Sequence, residues 1–325
     1  MIELKTPKEI EAMKPAGRFV GGILRDLKEF TKVGTNLLEI DEFVHKRIVD
    51  RKGASSCYVD YAPDFGTGPF AHYICTSVND AVLHGVPYDY NLKDGDLVSL
   101  DLAINVDGWV ADSAISFCVG TQHPDDLRLI KCTEEALAAG IEAAQPGNRL
   151  GDVSCAVGDV AREYGYPINL EFGGHGVGHI MHGDPHVPND GKAHHGYKLR
   201  PGLVIAIEPW FLKTTDEIYQ DPKDGWTLRA SDGSRGAKLL NDSLADRALL
   251  QDASGGTVFV SSQGLTSFKP SQTWWVGDLP WYQRVWVSFA NRPFLLVLCA
   301  LIAAVVAGWG IFAGMRRWLR GRSSL

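Results

Sequence analysis

Apolar and polar positions along the chain follow two periods. Amphipathic spacing of the helical kind runs over residues 7–30 and 37–52. It recurs over 125–144, ended by Pro146-Gly147, and over 151–164, ended by Gly165 and Pro167. Between these helices the period falls to two. The stretch LVSLDLAINVDGWVADSAISFCVG, residues 97–120, is two alternating runs around Asp107-Gly108, the strongest short-range signal for a tight hairpin. Helices and strands mixed in this way over residues 1–230 predict an α/β or α+β fold.

The hairpin register carries the first chemical consequence. With Asp107 and Gly108 as the turn, Val106 faces Trp109 and Ala103 faces Asp112. Asp101 and Asp112 then share one face as diagonal cross-strand neighbours, about 5.5 to 8 Å apart at Cα. Unpaired carboxylates on an apolar pleat repel and desolvate poorly, and a bound cation is the simplest remedy. A single strand Asp would read more simply as a residue at the sheet rim; two on one face favour the cation.

Further donors lie downstream. The segment EFGGHGVGHIMHGDPHVPND holds His175, His179, His182 and His186, and LVIAIEPWF places Glu208 inside an apolar run. A His-rich loop alone is commonly a solvated turn, and Glu208 alone could be a paired core acid. Two Asp, one His and one Glu without Cys suit Mn, Fe, Co or Zn better than a thiolate-seeking ion.

Composition narrows the class. The 325 residues are 45% hydrophobic and 22% charged, ordinary globular usage for one large or two modest domains. A net charge of -7 without a long Lys/Arg run before residue 290 offers no footprint for nucleic acid. Six cysteines without a CxxC pair fit reduced thiols. The opening MIELKTPKEIEAM is charged and amphipathic, which is not the pattern of an export signal.

The motifs SVNDAVLHGVP around His84, DGDLVSLDLA with Asp101, WVADSA with Asp112, GGHGVGHIMHGDP with His175 and His182, RPGLVIAIEPWF with Glu208, and DGWTLRASDGSRGA resemble type I methionine aminopeptidases over residues 1–237. The resemblance implies the pita-bread fold, two pseudo-symmetric halves around a two-metal centre taking Co, Mn, Fe or Zn. It implies Asp101 and Asp112 on one metal and Asp112, His175 and Glu208 on the other, with Asp112 bridging. His84 and His182 would be catalytic residues beside the metals, near the leaving nitrogen and on the carbonyl oxygen; either could instead be a structural histidine. Cys75, Met181 and Trp226 match the pocket for the substrate's methionine side chain, with Tyr61 and Phe65 as further lining; their plainer reading is core. The implied reaction is removal of the N-terminal methionine from nascent peptides in the cytoplasm, close to the ribosome.

The same resemblance exposes a break. Its family carries a Glu-His-Thr strand three residues after the Arg-Gly-Ala element, and that Glu bridges both metals; here Leu240 stands in its place. The helix-like spacing of Leu240, Leu244 and Ala248 argues against a strand, so the fold is expected to lack its last strand, with one metal held more tightly than two and activity reduced. Residues 238–272 form a junction of foreign character, 273–292 an aromatic interfacial segment, 293–315 an uncharged run long enough to span a bilayer, and 316–325 a basic tail. The WWVGDLPWYQR and NRPFLL elements of this tail are similar to the membrane-proximal end of the regulatory subunit of bacterial cellulose synthase. A chimeric chain, anchored to the bacterial inner membrane with its catalytic domain in the cytoplasm, is therefore expected. The alternative is a catalytically silent membrane-tethered protein, such as a cellulose synthase accessory fragment.

Overall fold

The computed structural model describes residues 1–240 and, as backbone, 248–251, 257–261 and 264–268. Helix α1 (Pro7–Phe30) starts at Thr6, whose hydroxyl caps Glu9 while the Glu9 carboxylate caps Thr6 in return. Helix α2 (Leu37–Val49) repeats the device with Asn36 and Glu39 and ends three residues earlier than its periodicity suggests. Both bury one face, with Val20, Leu24, Leu27, Ile40 and Val44 packed on the first sheet.

That sheet holds β1 (Ala54–Ser56), β2 (Cys75–Val78), β4 (Leu97–Val106) and β5 (Trp109–Cys118). Strand β4 is paired on both edges, with β1 and β2 end to end on one side and β5 on the other. The short β3 (Ala81–Leu83) follows β2. Strands β4 and β5 form the expected hairpin: Val106 pairs with Trp109 and Ala103 with Asp112, and both turn residues have positive φ, Asp107 at 53° and Gly108 at 88°.

Helices α3 (Pro124–Ala143) and α4 (Leu150–Tyr164) pack together and open the second half. Gly165 ends α4 in the left-handed conformation. Then come β6 (Gly174–Gly176), β7 (Gly183–Val187), β8 (Val204–Ile205), β9 (Trp210–Leu212), β10 (Ile218–Gln220), β11 (Leu228–Ala230) and β12 (Gly236–Lys238). Their core, with Leu137, Val153, Ile205, Phe211 and Leu239, is distinct from that under α1 and α2.

Two expectations about the break need correcting. The chain keeps extended backbone as far as Leu240: β12 pairs with β9, and Leu240 forms a bridge to Ala114, with N to O distances of 3.2 and 3.3 Å. Nor does the helix-like spacing describe Ala248, which lies in β13 (Ala248–Gln251); β13 pairs with β8 and with β14 (Thr257–Ser261), and β14 pairs with β15 (Gly264–Phe268). The ladder bonds use backbone groups, so replacing a family Glu with Leu leaves strand pairing intact. The expected aromatic segment at 273–292, the apolar run at 293–315 and the basic tail lie outside the described residues. Among the described residues no helix is long and apolar enough to cross a membrane.

Candidate metal centre

Register alone gathers half of the site. Cys75 pairs with Asp101, Asp101 with Ala114, and Ala114 with Leu240, so these four stand side by side on one sheet face. Asp112 and Lys238, each two residues from a member of that row, share the face. The hydroxyls of Ser113 and Ser116 donate to the carbonyls of Leu240 and Lys238 at 3.0 and 2.6 Å and fix the strand beside β5.

The second half brings the other two donors. His175 exchanges backbone hydrogen bonds with Ala206, while Leu239 N–H donates to the Pro209 carbonyl, which sets Glu208 beside Leu240. The glycines flanking His175 permit this closeness: a Cβ on Gly174 would lie 2.1 Å from the Ala206 carbonyl oxygen, and one on Gly176 1.9 Å from that of Asp184.

The side chains converge. His175 Nε2 lies 2.8 Å from Glu208 Oε1 and 3.6 Å from Asp112 Oδ2. Donor atoms of Asp112, His175 and His182 fall within 4.8 Å of one another. His175 Nδ1 faces the Gly176 carbonyl at 3.0 Å, which holds the ring so that Nε2 is the nitrogen offered inward. Among the described residues Asp112 Oδ1 is buried without a hydrogen-bond partner, and the ion pair with Glu208 is what His175 Nε2 faces, so the donor chemistry suits a cation at this point. The donor set fits one divalent ion.

Asp101 is held differently. It accepts from the Tyr58 hydroxyl at 2.9 Å and forms an ion pair with the Lys238 ammonium, which also lies 3.2 Å from Glu208 Oε2. Burial pulls the Lys238 pKa down, but Asp101, Glu208 and Asp112 outweigh it and hold the ammonium charged. Burial pushes Asp112 up to about 6. Burial alone would raise Glu208, yet Lys238 and His175 keep it well below the usual carboxylate range. His175, which burial would depress, is raised to about 10 by Glu208 and Asp112.

The eleven residues to which the resemblance gives a metal, catalytic or pocket role line one cavity of about 230 Å³. The Trp226 ring forms its apolar wall with Phe70, Phe65 and Tyr61 at centroid distances of 5.2, 5.6 and 6.2 Å, and Cys75 and Met181 belong to the same apolar cluster. His84 stacks on Phe65, and burial holds its pKa down at about 4. His182, exposed at the cavity mouth, faces the Tyr61 hydroxyl at 2.9 Å through Nδ1; desolvation and the neighbouring His175 lower it to about 4. His186 also lines the cavity, whereas His179 stacks on Trp109 away from the metal-binding cluster.

Sequence reasoning missed Tyr58, Phe70 and Lys238. Tyr58 and Phe70 lie in an irregular segment without period, and Lys238 was legible only as one residue of a broken motif. The one signal for it was its place two before Leu240, on the same strand face.

Comparison with known proteins agrees with this geometry. Residues 11–245 match the model of metallopeptidase family M24, which extends the likeness past Leu240. The chain is 37% identical over 239 residues to a methionine aminopeptidase of Aquifex aeolicus, covering 73% of this chain and 92% of the relative. It is 39% identical over 245 residues to methionine aminopeptidase 1 of Mycobacterium tuberculosis, covering 73% and 89%. The methionine aminopeptidase structure from Rickettsia prowazekii superposes with a TM-score of 0.71 at 28% identity, over 82% of this chain and 99% of that one. The prolidase from Pyrococcus horikoshii, at 20% identity and a TM-score of 0.56, shares the fold. The fold, the inward-facing carboxylates and histidines, and these matches together place the chain in metallopeptidase family M24, among the methionine aminopeptidases with the pita-bread fold.

Proposed function

We propose that this chain removes the N-terminal methionine from peptides through a cation held by Asp112, His175 and Glu208, more slowly than relatives that carry the bridging Glu. Metal-dependent methionine aminopeptidase activity is the function its family supports; the residue roles rest on the site's geometry. A divalent cation at this position would polarise the scissile carbonyl and make hydroxide available near neutral pH.

The remaining steps belong to the protein's own groups. The apolar wall of Trp226, Met181, Cys75, Tyr61 and Phe65 takes the methionine side chain, whose thioether suits a polarisable aromatic cup. With the Tyr61 hydroxyl donating to His182 Nδ1, Nε2 carries the proton and can donate to the developing oxyanion. His84, neutral at pH 7, is placed to hydrogen-bond the substrate amide or leaving nitrogen. Leu240 supplies no charge opposite Asp101, which supports a reduced rate.

The observation that carries this reading is the convergence of Glu208 Oε1 and Asp112 Oδ2 on His175 Nε2, at 2.8 and 3.6 Å, with Asp112 Oδ1 buried and unpartnered among the described residues. Release of methionine from a Met-Ala-Ser peptide with added Mn(II) or Co(II) tests it. His175→Ala should lower kcat/KM by a factor on the order of 100 to 1000 and weaken metal binding. Unchanged turnover in that variant, or turnover indifferent to chelator, would count against the assignment. The apolar run at 293–315 supports a further element of the proposal, attachment of this activity to the cytoplasmic face of a bacterial inner membrane.

A further inference from the structure

Lys238 stands in an unusual position for a lysine. It is 4% exposed, rises from strand β12 on the face that carries Asp101, and reaches across to Glu208 from the other half of the site. One ammonium thus contacts two carboxylates that the Asp112–His175–Glu208 position does not use together: Asp101 entirely, and Glu208 through its second oxygen. Two residues on along the same face, Leu240 packs with Ala114 and Ala206, at the position where the family resemblance implies a bridging Glu. The chain therefore differs from a four-carboxylate centre in two coupled ways: one negative charge is gone, and one positive charge is built in.

The charge balance decides how many cations this centre can take. Asp101, Asp112 and Glu208 with Lys238 leave two negative charges in a buried space, which one divalent ion neutralises. A second divalent ion would leave the same space with two uncompensated positive charges, less the one charge of a bound hydroxide, and burying unpaired charge is strongly unfavourable. It would also have to displace the ammonium from Asp101, whose other oxygen is already engaged by Tyr58.

We propose that the Lys238 ammonium is a fixed internal cation occupying the second metal position, so that the centre binds a single divalent ion at Asp112, His175 and Glu208. The inference rests on the reading of those three residues as a metal position, and it assigns Lys238 a positioning role: it holds Asp101 and orients Glu208 from the side opposite His175.

Titration of the metal-free full-length chain with Mn(II), followed by calorimetry and by the Mn(II) EPR spectrum, tests it. The parent should take one equivalent with the six-line signal of an isolated ion. Lys238→Gln should bind a second equivalent about tenfold or more tightly than the parent does. Lys238→Gln combined with Leu240→Glu should take two, with the spectrum of an exchange-coupled pair. Lys238→Met provides a second neutral variant should the Gln form unfold, checked by circular dichroism. Leu240→Glu alone, with the lysine retained, should still take one. Two equivalents bound by the parent with affinities within about tenfold of each other, or an unchanged second site on removal of the lysine, would overturn the proposal. The underlying reading fails separately: if His175→Ala keeps the parent's single equivalent, the metal is not at that position, whatever Lys238 does.

Discussion

At the residue scale, the site sets a carboxylate-rich cluster beside two histidines, His84 and His182, that burial keeps neutral. His84 shows how the second condition constrains stability. Among the described residues its Nδ1 is buried without a hydrogen-bond partner, and burial lowers its pKa from 6.5 to about 4. The unfolded chain therefore takes up this proton first as pH falls. Stability from the neutral ring is complete above about 6.5 and is lost as pH drops towards 4, by up to about 3 kcal/mol. Urea unfolding of the metal-free protein at several pH values should show this slope, and His84→Gln should flatten it; an equal slope in both would place the titration elsewhere. In the proposed function Met181 contacts the substrate's side chain. Truncation to Ala should lower kcat/KM for a Met-Ala-Ser peptide about tenfold or more while metal content stays constant, because the missing contacts are apolar. A fall in metal content would instead mean that Met181 supports the centre and not the substrate.

At the scale of elements, what was legible in the sequence divides by whether a local rule existed. The hairpin was readable residue by residue, since Asp-Gly fixes the turn and the period of two fixes every pairing from Val106–Trp109 outward. Helix α1 was readable to its ends from its continuous apolar stripe, and the structure adds the Thr6–Glu9 capping box at its start. The strand through Lys238 and Leu240 was not. Its side chains suggest a helix or a seam, while its conformation is set by β9 on one side and the Ser113 and Ser116 hydroxyls on the other, all distant in sequence. The convergence of His175 and Glu208 was likewise invisible to spacing, because it depends on β6 lying close to β8 through glycines. That closeness makes Gly174→Ala informative. The new methyl would meet the Ala206 carbonyl, so the thermal midpoint should fall with a loss of about 1–3 kcal/mol, and Mn(II) affinity should fall with it as His175 moves away from Glu208. A destabilised variant with unchanged affinity would show that the ligand geometry tolerates a shift of β6.

At the scale of the whole molecule, the catalytic unit and the apolar run near the C-terminus impose different requirements. Residues 293–315 carry no charged side chain and are long enough to cross a bilayer, with aromatic residues before them and Arg316, Arg317, Arg320 and Arg322 after. The arginine bias would set those four on the cytoplasmic side and the aminopeptidase unit outside, opposed only by Arg284 and Arg292. The proposed action on nascent chains requires the domain to be inside, and it is synthesised well before the run leaves the ribosome, so it has time to fold there first. A folded domain resists translocation, and the expected outcome is an inward-facing unit tethered by its last segment, against the charge rule. The whole chain should then sediment with membranes and need detergent for release, whereas a chain ended before Trp274 should stay in the supernatant. Protease added to sealed cells should leave the methionine-releasing unit intact. Its complete digestion would mean that the arginines had set the orientation and that the enzyme cannot meet its substrates, and full recovery of the whole chain in the supernatant would remove the membrane from the account altogether.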